Sequence, residues 1–378
     1  MKDIVIAGYA RSPFHFAIKG GLAKVRPDDL AAHAVKGLIE RTGVNPDDIE
    51  DLILGCAFPE GEQGFNMARL VVLIAGLPIS VAGTTVNRFC GSSMQAIHMA
   101  AGAIQMGAGD VFICAGVESM SRIPMSGFNP MPNPALCQSM PAAYMSMGET
   151  AENVGREYQI SREEQEAFAV ASQQKAGEAQ SQGRLADEIV PIEVNGSTID
   201  ADGCLRPTTD LEGLAGLKLA FDENGSVTAG TASPLTDGAA ATLVCSSDYA
   251  KANGLEPIAR IVSFAVSGCK PETMGLGPIF SSRKALVRAG ISATDLDVIE
   301  INEAFATQSI ASIRDLELDS TKVNIDGGAI AIGHPLGATG ARITGKAAQV
   351  LQREGGRYAL STQCIGGGQG IATVLEAA

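Results

Sequence analysis

Three glycine-rich segments of the chain each carry one side chain suited to covalent or proton-transfer chemistry: Val86-Asn-Arg-Phe-Cys90-Gly-Ser-Ser-Met94, Gly327-Gly-Ala-Ile-Ala-Ile-Gly-His334-Pro-Leu-Gly337 and Ser361-Thr-Gln-Cys364-Ile-Gly-Gly-Gly-Gln-Gly370. Cys90 stands where a strand turns into a helix, so its sulfur is expected to face a helix N-terminus. The unpaired N–H groups there favour a thiolate. Of the four histidines, His33 and His98 fall in helical patterns and read as packing or surface residues, and His15 lies in an N-terminal loop. His334 alone sits in a Gly-rich turn ahead of a second small-residue helix. A Cys/His pair generates a thiolate near neutral pH. Cys364 ends a strand and precedes three glycines, which places a proton carrier beside free backbone N–H groups. Asn302, in Asn302-Glu-Ala-Phe305 at another strand end, offers a hydrogen bond, direct or through a water, to a developing oxyanion. Taken singly, each has an ordinary alternative: a small buried cysteine, a turn histidine, a strand-terminal asparagine. Gly366-Gly-Gly-Gln-Gly370 looks like a dinucleotide fingerprint, but its spacing is wrong and no second strand with an acidic ribose ligand follows. Cysteines and histidines dispersed singly lack metal-ligand spacing, and no metal is expected.

An internal repeat must position these residues. Gly43 to Phe58 aligns without a gap with Gly290 to Phe305; Gly43/Gly290, Asp48/Asp295, Ala57/Ala304 and Phe58/Phe305 are identical. At nearly the same offset, Gly91 to Gly109 runs beside Gly337 to Gly355, each a Gly-rich turn, a helix of small residues and then a strand. Strands alternating with helices imply α/β layers with a buried sheet in each half. The helices after Cys90 and His334 carry almost no charge for two or more turns, which predicts burial on all sides between two sheets. Symmetry then brings His334 opposite Cys90. Residues 120–235 have no counterpart in the second half. Five Pro and five Met between Ser121 and Met147 predict irregular loop, and the capping box Ser161-Arg-Glu-Glu164 opens a helix to about Ala179. The expected organisation is 1–119 with about 236–255 as one half, 120–235 as a loop domain, and 256–378 as the other half.

Composition narrows the class. A chain of 378 residues with 46% hydrophobic residues can bury a large core. The net charge of −14, with no Lys/Arg cluster, argues against nucleic acid as a partner. No apolar run approaches the ~18 residues of a membrane span. Eight scattered cysteines without a leader sequence point to a reducing cytoplasm. Despite 42 acidic residues, Gln63–Gly109, Gly327–Arg353 and Gly355–Leu375 contain none. Acid-free surroundings are what a thiolate and an anionic substrate require.

These blocks together resemble the thiolase family: the segments around Cys90, Asn302, His334 and Cys364, with Met147-Gly-Glu-Thr-Ala-Glu152 and Val227-Thr-Ala-Gly-Thr-Ala-Ser233. The likeness spans the chain in order. Glu62-Gln-Gly-Phe-Asn-Met-Ala-Arg69 and Ala229-Gly-Thr-Ala-Ser233 bring it nearest to the bacterial degradative 3-ketoacyl-CoA thiolases. The resemblance implies a layered αβαβα fold with two similar halves and a loop domain holding coenzyme A. It implies Cys90 as nucleophile, His334 as its base and Cys364 as the second acid/base. It also implies one oxyanion hole from His334 and a water on Asn302, and another from the N–H groups of Cys90 and Gly366. Ser233 matches the pantetheine-binding serine. Arg206, by its spacing to Phe221, matches an arginine beside the adenine and phosphates, and Met147 and Phe305 are expected to line the tunnel. Coenzyme A enters as co-substrate, with no permanently bound cofactor. A homodimer or homotetramer is expected, and some relatives pair with a multifunctional β-oxidation subunit. Ser146 stands where acetoacetyl-CoA thiolases usually have His, which weakens the alternative of a short-chain acetyl-CoA acetyltransferase.

Overall fold

The structure, a computed structural model, describes residues 2–378. Its strands are β1 (Ile4–Arg11), β2 (His15–Phe16), β3 (Asp51–Gly55), β4 (Ala82–Val86), β5 (Val111–Ser119), β6 (Ile192–Val194), β7 (Ser197–Ile199), β8 (Thr236–Ser246), β9 (Ala259–Gly268), β10 (Val298–Ile301), β11 (Tyr358–Ile365) and β12 (Gln369–Glu376). The main sheet runs β10-β11-β12-β9-β1-β8-β5-β3-β4, with β2 attached to β8.

The seam of this sheet, between β9 and β1, is only two residue pairs long. On one side of it β3 and β5 are parallel, while β5–β8 and β8–β1 are antiparallel. On the other, β10 and β11 are parallel, while β11–β12 and β12–β9 are antiparallel. β4 lies parallel to β3, and its counterpart beside β10 shrinks to one parallel bridge, Ile299 to Val323. The repeat in the sequence is thus a repeat of topology. Its punctuation is shared: Gly43 and Gly290 end the helices Pro27–Thr42 and Gly277–Ala289 with left-handed φ of 66° and 71°, a conformation glycine adopts without steric cost.

Five layers result. Leu30, Val35, Leu38 and Val71, on helices Pro27–Thr42 and Met67–Ile74, cover the outer face of the first half. Ile279, Leu286 and Ala311, on Gly277–Ala289 and Ala306–Asp315, cover that of the second. Between the two halves of the sheet lie helices Ser92–Gln105 and Thr339–Glu354, whose Ala96, Ile97, Ala100, Ala347 and Leu351 share one core with Ile53, Phe112, Val298 and Ala359. The two helices close to backbone contact because residue 340 is glycine: a Cβ there would fall 2.2 Å from the Met94 nitrogen. Helix Thr339–Glu354 departs from the charge-free reading. Arg342 and Lys346 are buried on it, and Glu300 at 2.9 Å and Asp326 at 2.7 Å neutralise them, the condition on which a buried cation is tolerated.

Within 120–235, Ser121–Met147 is irregular apart from the short helix Pro134–Ser139 and a 3-10 turn at Pro141–Tyr144. Capping boxes at Ser146/Glu149 and Ser161/Glu164 open helices Met147–Glu157 and Arg162–Ser181. Among the described residues, no helix is long and apolar enough to cross a membrane.

Candidate active site

Cys90 sits one residue before the Gly91 cap of helix Ser92–Gln105. The turn that delivers it is held by its own side chains. Asn87 Oδ1 accepts the Phe89 N–H at 2.8 Å, and Ser92 Oγ accepts the Arg88 N–H at 2.8 Å while donating to the Phe89 carbonyl at 2.6 Å. Phe89 is thereby kept at φ 42°, a left-handed conformation that costs a non-glycine residue about 1–3 kcal/mol. Cys90 packs with Ala57, Met120 and Leu336, the last two residues beyond His334. Gln363, next to Cys364, donates from its amide to the Cys90 carbonyl.

His334 follows Gly333, which has φ 105°, and its N–H donates to Thr236 Oγ1 at 3.0 Å. Its ring is oriented by Thr339. The Thr339 hydroxyl donates to the Pro335 carbonyl at 3.0 Å, so it accepts from the imidazole Nδ1, 2.6 Å away. The proton is therefore on Nδ1 and the lone pair on Nε2. Nε2 faces Asn302 Nδ2 at 3.3 Å. Asn302 is fixed by its N–H to the Thr362 carbonyl at 3.0 Å, and its Oδ1 is buried without a protein partner.

The electrostatics correct one expectation. Burial pushes the Cys90 thiol up to about 12; the Gly366 N–H pulls it down, and the Glu118 charge adds to the rise. Withdrawal from water outweighs the favourable helix start, so the resting group is a thiol and not a thiolate. Burial, with Arg342, holds His334 down to about 3, a neutral imidazole. Cys364 is raised by burial and then by the proximity of Cys90, and is likewise a protonated thiol. The resting trio is uncharged: a thiol, a neutral imidazole and a second thiol.

A cavity of about 370 Å³ opens beside this group, lined by Arg206, Phe221, Ser233, Leu235 and Ile330 among others. Ser233 is anchored through its N–H and hydroxyl to the Ala304 carbonyl, at 3.0 and 3.2 Å. Arg206 stacks over Phe16, 4.7 Å from the ring centre. Phe305 meets Phe221 edge-on, ring centres 5.9 Å apart. Phe305, Met147, Ala232 and Cys364 form one apolar cluster, and Ala232 also lines the cavity. The structure sets Cys90 with Cys364 and Gly366, pairs His334 with Asn302, and packs Leu336, two residues beyond His334, against Cys90. Ser233 and Arg206 line the cavity, and Met147 and Phe305 cluster with Cys364.

Sequence reasoning passed over Thr339, Gln363, Thr236 and Glu118. Only Glu118 left a signal, as a lone acid near the end of an otherwise uncharged strand.

Two family models match the chain, the thiolase N-terminal domain over residues 4–248 and the thiolase C-terminal domain over 255–377. This chain is a thiolase. It is 47% identical to a 3-ketoacyl-CoA thiolase of Bacillus subtilis, over all of both chains. It is also 47% identical, again over all of both, to an Escherichia coli 3-oxoadipyl-CoA/3-oxo-5,6-dehydrosuberyl-CoA thiolase. The human mitochondrial 3-ketoacyl-CoA thiolase, crystallised in complex with CoA, superposes with a TM-score of 0.92 at 38% identity, covering 100% of this thiolase and 98% of that chain.

Proposed function

We propose that this thiolase cleaves 3-ketoacyl-CoA with coenzyme A, giving acetyl-CoA and an acyl-CoA shorter by two carbons, as in fatty acid β-oxidation. The observation that carries the reading is the uncharged Cys90–His334–Cys364 grouping beside the cavity of Arg206 and Ser233. Cys90 Sγ attacks the C3 carbonyl carbon as His334 Nε2 takes the thiol proton. The resulting oxyanion is held by His334 and a water on Asn302, whose free Oδ1 supports that role. The C2–C3 bond then breaks. Its electron pair goes to the acetyl-CoA fragment, which takes a proton from the Cys364 thiol. In the second step Cys364 removes the proton of incoming CoA, whose sulfur displaces the acyl group from Cys90, and the proton on His334 returns to Cys90. The N–H groups of Cys90 and Gly366 face the thioester oxygen. A second acid on the side away from the nucleophile suits this sequence, because an oxyanion and an enolate must be stabilised in turn.

In this reading residues 120–235 form a loop domain. Ser233 holds the pantetheine, Arg206 lies at the adenine and phosphates, and Met147 and Phe305 line the tunnel. Sites in the cytoplasm are supported by eight cysteines that are all unpaired. Self-association is supported by β4, an edge strand, beside the exposed Phe65, Leu73 and Ile79. The test is thiolysis of 3-ketoacyl-CoA from acetoacetyl-CoA to long acyl chains. Activity across several lengths is expected. Activity with acetoacetyl-CoA alone would make the enzyme an acetyl-CoA acetyltransferase, and none at any length would remove the reading.

A further inference from the structure

We propose that Glu118 is a positioning residue for this reaction: one buried carboxylate ties the wall behind Cys90 to the turn that carries His334. The inference rests on the thiolase reading of the site.

Glu118 lies near the end of β5 and is 1% exposed. Its Oε2 accepts the N–H of Ala57 at 2.8 Å and of Gly337 at 2.9 Å. Its Oε1 accepts Gln63 Nε2 at 2.7 Å and the Phe58 N–H at 3.2 Å. Every one of these partners donates. The group must therefore be ionised, although burial pushes its pKa up.

With the Cys56 thiol at 3.7 Å the donors number five, and they come from both halves. Ala57 and Phe58 follow β3 and pack with Cys90, and Asn87 of the nucleophile turn donates to the Ala57 carbonyl at 3.0 Å. Gly337 belongs to the turn after His334. It crosses so near the first half that a Cβ would fall 2.5 Å from the Val117 carbonyl and 2.7 Å from that of Gly55. Gly116 reciprocates, since a Cβ there would fall 2.1 Å from the Gly337 carbonyl. At this crossing no side chain fits between the backbones, and Glu118 is what clamps them. The relative placement of sulfur and imidazole is thus held by one acid that touches neither.

Its charge has a second effect. Glu118 is the titratable group whose charge reaches the Cys90 sulfur, and it raises the thiol. Burial keeps the thiol protonated, and the charge of an ionised Glu118 adds to that rise. Glutamine cannot replace it, because its NH2 would meet donors on either oxygen position, and the Gln63 amide is already committed through its oxygen to the Ser119 N–H at 2.7 Å.

The experiment is Glu118→Gln in the full chain, read by thiolysis kinetics and by the pH profile of Cys90 alkylation with iodoacetamide, located by peptide mass spectrometry. The expected kcat loss is about 100-fold with KM within about twofold, the scale of a small misplacement of reacting groups. The alkylation profile is expected to move to lower pH. A kcat within about threefold of wild type, or a loss of kcat with an unmoved alkylation profile, overturns the proposal. Should Glu118→Gln not fold, Gln63→Met decides. It removes one donor and keeps the charge, so kcat should fall about three- to tenfold at constant KM, and an unchanged kcat overturns the proposal. A wild type inactive on every 3-ketoacyl-CoA sinks the assigned reaction instead, while the alkylation profile still reads Glu118.

Discussion

The two halves have the same strand order and opposite chemical endowments, and the difference is clearest at equivalent strand ends. Gly55 and Asn302 are 247 positions apart and stand at the same place in the repeat. At Gly55 a Cβ would fall 2.4 Å from the Ser93 nitrogen. Glycine there lets helix Ser92–Gln105 descend onto the strand end and present Cys90. In the second half the same position carries Asn302, which reaches His334. The next positions, Cys56 and Glu303, diverge as well: Glu303 is a buried carboxylate holding Ser172 Oγ at 2.6 Å and Asn324 Nδ2 at 2.7 Å. Each half then docks its reactive turn on the other. Gly91 passes so near Ile365 and Ile371 that a Cβ would clash, while Gly337 crosses the first half as described above. In the proposed reaction, a duplicated fold thus supplies the nucleophile from one copy and the acid/base set from the other, and neither copy holds a complete site.

The largest expected effect breaks this division at its centre. Cys90→Ala should lose at least ~10⁴-fold in thiolysis and form no acyl-enzyme. Cys364→Ala should lose thiolysis to a similar degree but still accept an acyl group on Cys90 from acyl-CoA, visible as a mass increment on the intact protein. If both variants fail to acylate, the halves do not divide the labour between nucleophile and second acid.

A smaller effect sharpens the account of the second half. Thr339→Val keeps the shape but leaves the His334 Nδ1–H without its acceptor, so the ring loses its orientation and fixed tautomer. The expected cost is about 10- to 100-fold in kcat with little change in KM, and Thr339→Ser should restore most of it. An equal defect in the serine variant would mean that packing of the methyl group, and not the hydrogen bond, is what matters.

Much of this was legible before any coordinates, and the reasons are physical. Gly43 and Gly290 announce the same helix end, and Gly-rich turns ahead of charge-poor helices announce the buried helix pair, because both follow from local sterics and burial. The helix start that favours a Cys90 thiolate is visible in a sequence, but the depth of the surrounding core, which raises the thiol, is not. Thr339 and Gln363 were missed for a related reason. Their roles come from contacts made across the fold, and a threonine or glutamine in an apolar run looks the same whether or not it meets a histidine or a carbonyl. The buried Arg342 and Lys346 were read past for the same cause, since their partners Glu300 and Asp326 lie on other elements.

The smallest effect tests how the halves are joined away from the chemistry. His98, on the first half's inner helix, stacks on Phe264 of the second half at 4.2 Å and shares a 2.8 Å hydrogen bond with Thr373. Burial, with Arg88, holds its pKa down to about 3. The unfolded chain protonates this histidine below about pH 6.5 while the native state does not. The native state is therefore penalised as pH falls through that window and regains nothing until about pH 3, where it too would bind the proton. At about 1.4 kcal/mol per pH unit, acidification from pH 7 to 5 should cost about 2 kcal/mol through His98. Glu300, raised by burial to about 7, acts with the opposite sign between its unfolded value and 7, so the absolute slope mixes several groups. The difference between variants does not. Urea unfolding of wild type and His98→Leu at the two pH values should show the variant losing about 2 kcal/mol less on acidification. Parallel losses would mean that the imidazole is reached by protons in the native state, and that the seam between the halves is open to water there.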